Sequence, residues 1–157
     1  MAINPDLQGR VYPPAEAYDV AREKIREFAR AVKAEHPAHF DLEAARALGH
    51  ADLVAPPSFA IIVAQRADAQ LIEDPESGID FSRVVHADQR FIHHRPIVAG
   101  DRLVAELHVD TVRAMGGGAM ITTRAEITAV GAGDAADGSR EKVATTTSSI
   151  LVRGEGQ

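Results

Sequence analysis

The chain contains no cysteine. That absence excludes a disulfide framework, a thiolate metal site and a cysteine nucleophile. Positive charge is also scarce: 17 Lys and Arg stand against 23 Asp and Glu, a formal net charge of -6. No basic patch of the kind that offsets phosphate repulsion is expected, so neither nucleic acid nor an anionic membrane surface is an expected partner. Long apolar runs are missing too. The longest, near Phe59 to Ala64, falls far short of the roughly 20 residues that span a bilayer. Residues Met1 to Arg10 carry no apolar stretch of signal-peptide type, and a cytoplasmic protein is the expectation. No internal repeat is visible, and the linker-like stretch Gly131 to Gly138 is too short to separate domains. A chain of 157 residues, 45% hydrophobic and 25% charged, suits one soluble globular domain over residues 1–157.

What is present is a change of hydrophobic period along the chain. From about Ala15 to Ala34, the residues Tyr18, Ala21, Ile25, Phe28, Ala29 and Val32 recur at helical spacing, with charged residues on the other face. Glu23 and Arg26 stand one turn apart, an attractive pair. A short helix is expected from Leu42 to Leu48, closed by Gly49. A second long helix should begin near Pro57 and Ser58, where a missing N–H has no helical partner to disappoint. Phe59 to Ala64 is apolar on every side, which predicts a helix buried all round.

The period then drops to two. Over Arg83 to His94, Val85, Ala87 and Phe91 fall on one face and His86, Asp88 and Arg90 on the other. Leu103, Ala105, Leu107 and Val109 alternate with Glu106, His108 and Asp110. Ala119, Ile121, Ala125 and Ile127 alternate with Thr122, Arg124 and Glu126. Lys142 to Val152 is rich in threonine, valine and isoleucine. These are four expected strands, each with one face to a core. Gly116-Gly117-Gly118 predicts a hairpin turn between the second and third, and Gly131 to Gly138 a loop between the third and fourth. A buried helix followed by antiparallel strands predicts an α+β fold, a curled sheet around a central helix.

The segment Phe28-Ala29-Arg30-Ala31-Val32-Lys33-Ala34-Glu35-His36-Pro37-Ala38-His39 resembles, without a gap, the F-A-x-x-x-G-D-x-N-P-x-H motif of MaoC-like hydratases. Asp41, Ala45 and Gly49 continue the match. Val54-Ala55-Pro56-Pro57-Ser58-Phe59 resembles the start of that family's helix. Gln89-Arg90-Phe91 through Pro96-Ile97-Val98-Ala99-Gly100-Asp101 resembles its strand and P-x-x-x-G-D turn. The likeness covers roughly Tyr12 to Val152. It is closest to the accessory, FAS1-like dehydratase branch, which includes non-catalytic subunits of mycobacterial (3R)-hydroxyacyl-ACP dehydratases and a related actinobacterial family. The resemblance implies a hot-dog fold, an acyl-CoA or acyl-ACP thioester as substrate and no cofactor. It also implies assembly as a homodimer or as a heterodimer with a MaoC-like catalytic subunit.

In that family an aspartate and a histidine, five residues apart, exchange protons with the substrate, and an N–H at the helix start polarises the thioester carbonyl. By the match, His39 occupies the catalytic histidine position. Ala34 occupies the aspartate position, Lys33 the preceding glycine and His36 the asparagine. Pro57 falls on the glycine whose N–H faces the carbonyl; proline has none to give, while Ser58 retains one. Ala34, Glu35, His36, Pro57 and Ser58 are therefore the expected substrate-binding positions around His39. Glu35 is a candidate stand-in acid and Asp41 a candidate to orient the His39 ring.

Three other clusters call for a reading. His36 and His39, and the adjacent His93 and His94, lack the carboxylates or cysteines that would complete a metal site, so none is expected. Asp68, on the central helix, is placed to serve as the base of a hot-dog thioesterase or else to mark the helix's exposed end. Gly100-Asp101 reads as a turn. The expected function is a subunit of an (R)-3-hydroxyacyl thioester dehydratase with a degenerate catalytic loop, shaping an acyl channel. The alternatives are an active hydratase using His39 with a substitute acid, and an acyl thioesterase.

Overall fold

The two edges of the sheet are covered differently. The computed structural model describes residues 2–131 and 140–154. In chain order it contains β1 (Tyr18–Asp19), α1 (Arg22–Ala31), α2 (Leu42–Ala47), α3 (Ala60–Glu73), β2 (Val84–His93), β3 (Arg102–Met115), β4 (Gly118–Ala129) and β5 (Glu141–Val152). The strands form one antiparallel sheet in the order β1-β3-β4-β5-β2. It curls around α3 in the expected hot-dog arrangement.

The core lies between α3 and the concave face of the sheet. Ala60, Val63, Ala64, Ala67 and Leu71, one stripe of α3, pack with Leu103, Leu107, Val109, Ile121 and Ile127. Those sheet residues alternate along β3 and β4 as a half-buried strand requires. Phe59, fully buried in the single turn Pro57–Phe59 that leads into α3, receives the ring of Phe28 edge-on at 5.4 Å and that of Tyr18 at 6.2 Å. This aromatic cluster ties α1 and β1 to the start of α3.

The structure corrects the expected elements in three places. The first helix begins at Arg22 rather than near Ala15, because Tyr18 and Asp19 pair with Leu103 and Arg102. Val20 N–H then donates to Asp101 O at 2.8 Å, and Gly100 N–H to Val20 O at 2.9 Å. Tyr18 and Val20 are buried with exposed Asp19 between them, so sheet pairing overrides the helical spacing. In β2 the register shifts between His86 and Asp88. The extra residue reverses the alternation, leaving Val85 and Ala87 exposed while Val84, Gln89 and Phe91 are half-buried. Finally, α3 is not buried all round: Ile61 and Ile62 are only half-covered, since the sheet closes over one side of the helix.

The turns follow their residues. Gly116 and Gly117, at φ 50° and 85°, make the two-residue hairpin between β3 and β4, a turn whose positive φ values suit glycine. The loop expected over Gly131 to Gly138 lies outside the described residues from 132 onward. In the other expected turn Asp101 accepts the Val98 N–H at 2.9 Å and the Arg95 guanidinium at 2.8 and 3.0 Å, with Gly100 at φ 95°.

Main-chain bonds from residues 9–20 cover the β3 edge. Gly9, Tyr12 and Ala15 N–H donate to Val109, Leu107 and Ala105 carbonyls at 2.8 to 2.9 Å. The other edge, β2, has β5 on one side and, among the described residues, no strand on the other. Phe59→Ala is expected to lower unfolding free energy by about 3–5 kcal/mol, the range for emptying a buried aromatic site. Urea denaturation measures it, and a loss below about 1 kcal/mol would remove Phe59 from the centre of the packing.

Candidate functional site

The motif loop is built by the way α1 stops. Lys33 adopts φ 57°, the left-handed region. Its N–H donates to Arg30 O at 3.2 Å and the Ala34 N–H to Ala29 O at 2.8 Å. This pair of bonds is a Schellman ending, whose left-handed position favours glycine. The family's glycine at this position thus has a conformational reason, and Lys33 holds the same path at a cost of about 1 kcal/mol. The half-buried Ala34 presents a methyl group where the family presents a carboxylate.

Next, His36 Nδ1 accepts the Ala38 N–H at 3.1 Å and caps the single turn Pro37–His39. Asp41 Oδ1 accepts the Ala44 N–H at 2.9 Å and caps α2. Asp41 therefore does not orient His39, as the sequence suggested it would; a main-chain carbonyl does. His39 Nδ1 lies 2.6 Å from Val54 O, and a carbonyl only accepts, so Nδ1 carries the proton. In the neutral ring Nε2 then offers its lone pair, the state a general base needs. Val54 also donates its N–H to Ala38 O at 3.1 Å and bridges to Val98, so the segment that locks His39 is itself anchored.

At the start of α3, Pro57 is exposed and its carbonyl accepts His93 Nε2–H at 2.8 Å. Half-buried Ser58 supplies the first main-chain N–H of that turn. His94 lies 3.4 Å from Thr145 Oγ1, away from His93's partner. Glu35 is exposed and makes no side-chain hydrogen bond among the described residues. The loop thus holds one oriented proton-transfer group, His39. Dehydration of a hydroxyacyl thioester needs a second, and the alanine at 34 does not provide it.

A separate cavity of about 660 Å³ opens between α3 and the β2 end of the sheet. None of the six motif positions lines it. Its walls are largely apolar, with Ile61, Ile72 and Ile150 among them, and its polar groups include Gln65, Asp68, His86, Thr123 and Ser148. Burial pushes the Asp68 carboxyl up to about 6, opposed by the His86 charge and a hydrogen bond from the Thr123 hydroxyl. His86 Nε2 lies 3.0 Å from Asp88 O and 3.1 Å from Ser148 Oγ. Sequence alternation put His86 on the outer face of its strand; the bulge brings it to the cavity instead. A carboxylate on the helix face shared by Ile61 and Ile72 was the signal available for Asp68.

Residues 6–133 match the FAS1-like dehydratase domain region. A UPF0336 protein of Leifsonia xyli is 52% identical over 153 residues, covering 98% of this chain and 97% of that one. Among solved structures, the C-terminally truncated HadBC (3R-hydroxyacyl-ACP dehydratase) complex of Mycobacterium tuberculosis is similar to this chain. It shows 36% identity, coverage of 93% of this chain and 97% of that one, and a TM-score of 0.77. A MaoC-like dehydratase shows 32% identity and a TM-score of 0.79, covering 94% of this chain and 42% of that longer one. The fold is that of a hot-dog protein, and the chain belongs to the FAS1-like dehydratase family.

Two outcomes are expected from this geometry. Lys33→Gly should preserve or raise the melting temperature, while Lys33→Val should lower it, because a β-branched residue disfavours positive φ; equal effects would dissociate the loop from its backbone geometry. Asp68 has its folded pKa raised from 3.8 to about 6, so its contribution to stability is present below the lower value and lost as pH rises through the upper one. Asp68→Asn should therefore be more stable than the parent at about pH 8, and the difference should vanish near pH 4 in a thermal melt series.

Proposed function

We propose that this chain is an accessory hot-dog subunit of an acyl-thioester dehydratase, paired with a MaoC-like chain that carries the complete aspartate–histidine loop. The carrying observation is the motif loop itself: its backbone path and its His39 tautomer lock are in place, yet position 34 bears only a methyl group. One proton-transfer group does not complete the elimination of water; two do. The substrate is an (R)-3-hydroxyacyl or trans-2-enoyl thioester of CoA or acyl carrier protein, with no metal or nucleotide required. His39, Glu35, His36, Pro57 and Ser58 then shape the channel wall rather than complete an active centre.

The β2 edge supports the pairing. Phe81, Val85 and Ile92 on and beside this strand are 69%, 44% and 59% exposed. An unpaired edge with apolar flanks is a template for another strand. HadBC, to which the chain is similar, is itself a complex of two different chains. A homodimer is the competing assembly, and the work of the pair would be done in the cytoplasm.

The purified chain alone is expected to hydrate crotonyl-CoA weakly or not at all, followed by loss of enoyl absorbance. Co-expression with a MaoC-like chain bearing the full G-D-x-N-P-x-H motif should give a stable complex that is active. Ile92→Lys should prevent that complex without unfolding the chain. Rapid hydration by the chain alone, abolished in His39→Ala, would replace this reading with a self-sufficient hydratase. Ala34→Asp is expected to raise any residual rate.

A further inference from the structure

The helix stripe that the sheet leaves uncovered carries charge as well as apolar surface. Ile61, Gln65, Asp68 and Ile72 follow one another at steps of four, three and four, so they share one face of α3. That face lines the cavity of about 660 Å³, opposite Thr123 of β4, Ser148 and Ile150 of β5, and Val84 and His86 of β2. The volume falls within the roughly 300–1,000 Å³ of small-molecule sites, and apolar walls with a few convergent polar groups are their usual makeup.

The polar groups of this cavity are mostly hydrogen-bond acceptors. Its titratable groups are the Asp68 and Glu73 carboxyls from α3 and His86 from β2, while β4 and β5 contribute the hydroxyls of Thr123 and Ser148. His86 Nε2 lies 3.0 Å from Asp88 O, a carbonyl that only accepts, so Nε2 carries the proton and Nδ1 of the neutral ring is a further acceptor. Gln65, one turn before Asp68, makes no side-chain hydrogen bond among the described residues, so its amide carbonyl is available. Neither lysine nor arginine is among the lining residues. Arg83, next to Val84, gives its Nε–H to Arg153 O at 2.8 Å instead.

Two further features favour positive charge in the same place. Leu71, Ile72 and Glu73, from the last turn of α3, line the cavity, and that turn carries no basic side chain. The final carbonyls of a helix lack helical partners and form the negative end of its dipole, which attracts a cation. Phe81, exposed and also part of the lining, adds an aromatic ring of the kind that attracts cations through its face. The complement of such a cavity is a positive head on an apolar body. A fatty acid would instead bring its carboxylate against the like charge of Asp68.

We propose that this cavity is a binding site for a long-chain amine, its ammonium head on the Asp68 carboxylate and its alkyl chain against Ile61, Ile72 and Ile150. The three N–H donors of the head match the acceptors gathered there: the carboxylate, the Gln65 carbonyl and the two hydroxyls. A charge-assisted hydrogen bond away from bulk water is stronger than one at the surface, and burial of the alkyl chain adds to it. The bound cation also offsets the penalty that burial places on the Asp68 charge. The site stands apart from the dehydratase reading, since neither His39 nor its loop lines it.

The test is isothermal titration calorimetry of the full chain with decylammonium, decanol and decanoate, each below its micelle-forming concentration. Decylammonium is expected to bind most tightly, decanol about 10-fold or more weakly and decanoate weakest of all. Asp68→Asn should weaken decylammonium about 10- to 100-fold while leaving decanol unchanged, the split that distinguishes a charge contact from a general loss of packing. Circular dichroism with a thermal melt checks that this variant folds. Decyltrimethylammonium, whose charge does not titrate, should bind the parent more weakly as pH falls through about 6, where Asp68 takes up its proton. Asp68→Asn should lose most of that dependence. No binding of decylammonium, equal affinity for the amine, the alcohol and the acid, or undiminished amine affinity in folded Asp68→Asn overturns the proposal.

Discussion

The seating of α3 in the concave face of the sheet is the contact on which the other features hang. Its buried stripe is built mostly from small residues, Ala60, Val63, Ala64 and Ala67, ending in Leu71. Small side chains let the helix backbone approach the sheet closely, and the larger residues of β3 and β4 fill the space between them. Phe59 then sets the start of the helix against α1, which places the motif loop beside it. The same close seating leaves the opposite stripe of α3 half-covered. That is why a carboxylate at position 68 finds itself against apolar walls and titrates near 6.

In the motif loop, several of the matched residues do main-chain work. Lys33 supplies the left-handed turn, His36 caps the next one, and Asp41 caps α2. His39 keeps Nε2 aimed away from its main-chain anchor. The loop's shape is held by backbone hydrogen bonds that do not need an aspartate at 34, so loss of that carboxylate leaves the scaffold intact.

The two sheet edges complete the picture. Residues 9–20 satisfy the β3 edge with their own N–H and C=O groups, whereas among the described residues no strand pairs with the outer side of β2. Edge strands are usually blunted by charge, proline or cover. Here the bulge at His86 and Asp88 and the charged Arg90 blunt β2 only in part, and the apolar Val85 and Ile92 remain in the open. The uncovered edge and the Asp68 cavity adjoin each other, so a partner on β2 would sit close to that carboxylate.

Much of this was legible in the residue order. Alternation placed Leu103 to Val109 of β3 and Ala119 to Ile127 of β4 correctly because those stretches keep one face on the core without interruption. The glycine hairpin at 116 and 117 and the Arg95-to-Asp101 turn were legible because they depend on local backbone preference. The motif match singled out His39 and Ala34, which the structure places together in the segment between α1 and α2. Three things were decided only in three dimensions. Tyr18 and Asp19 left a helical pattern to pair with β3, because an unpaired sheet edge outweighs a weak local preference. One inserted residue in β2 reversed which side chains face inward, and a period of two cannot show its own interruption. Asp68 acquired a neighbourhood from β2, β4 and β5, residues distant in sequence. Composition and spacing determined the class of fold and the place of the motif loop; the environment of each ionisable group depended on which strands the chain folded against it.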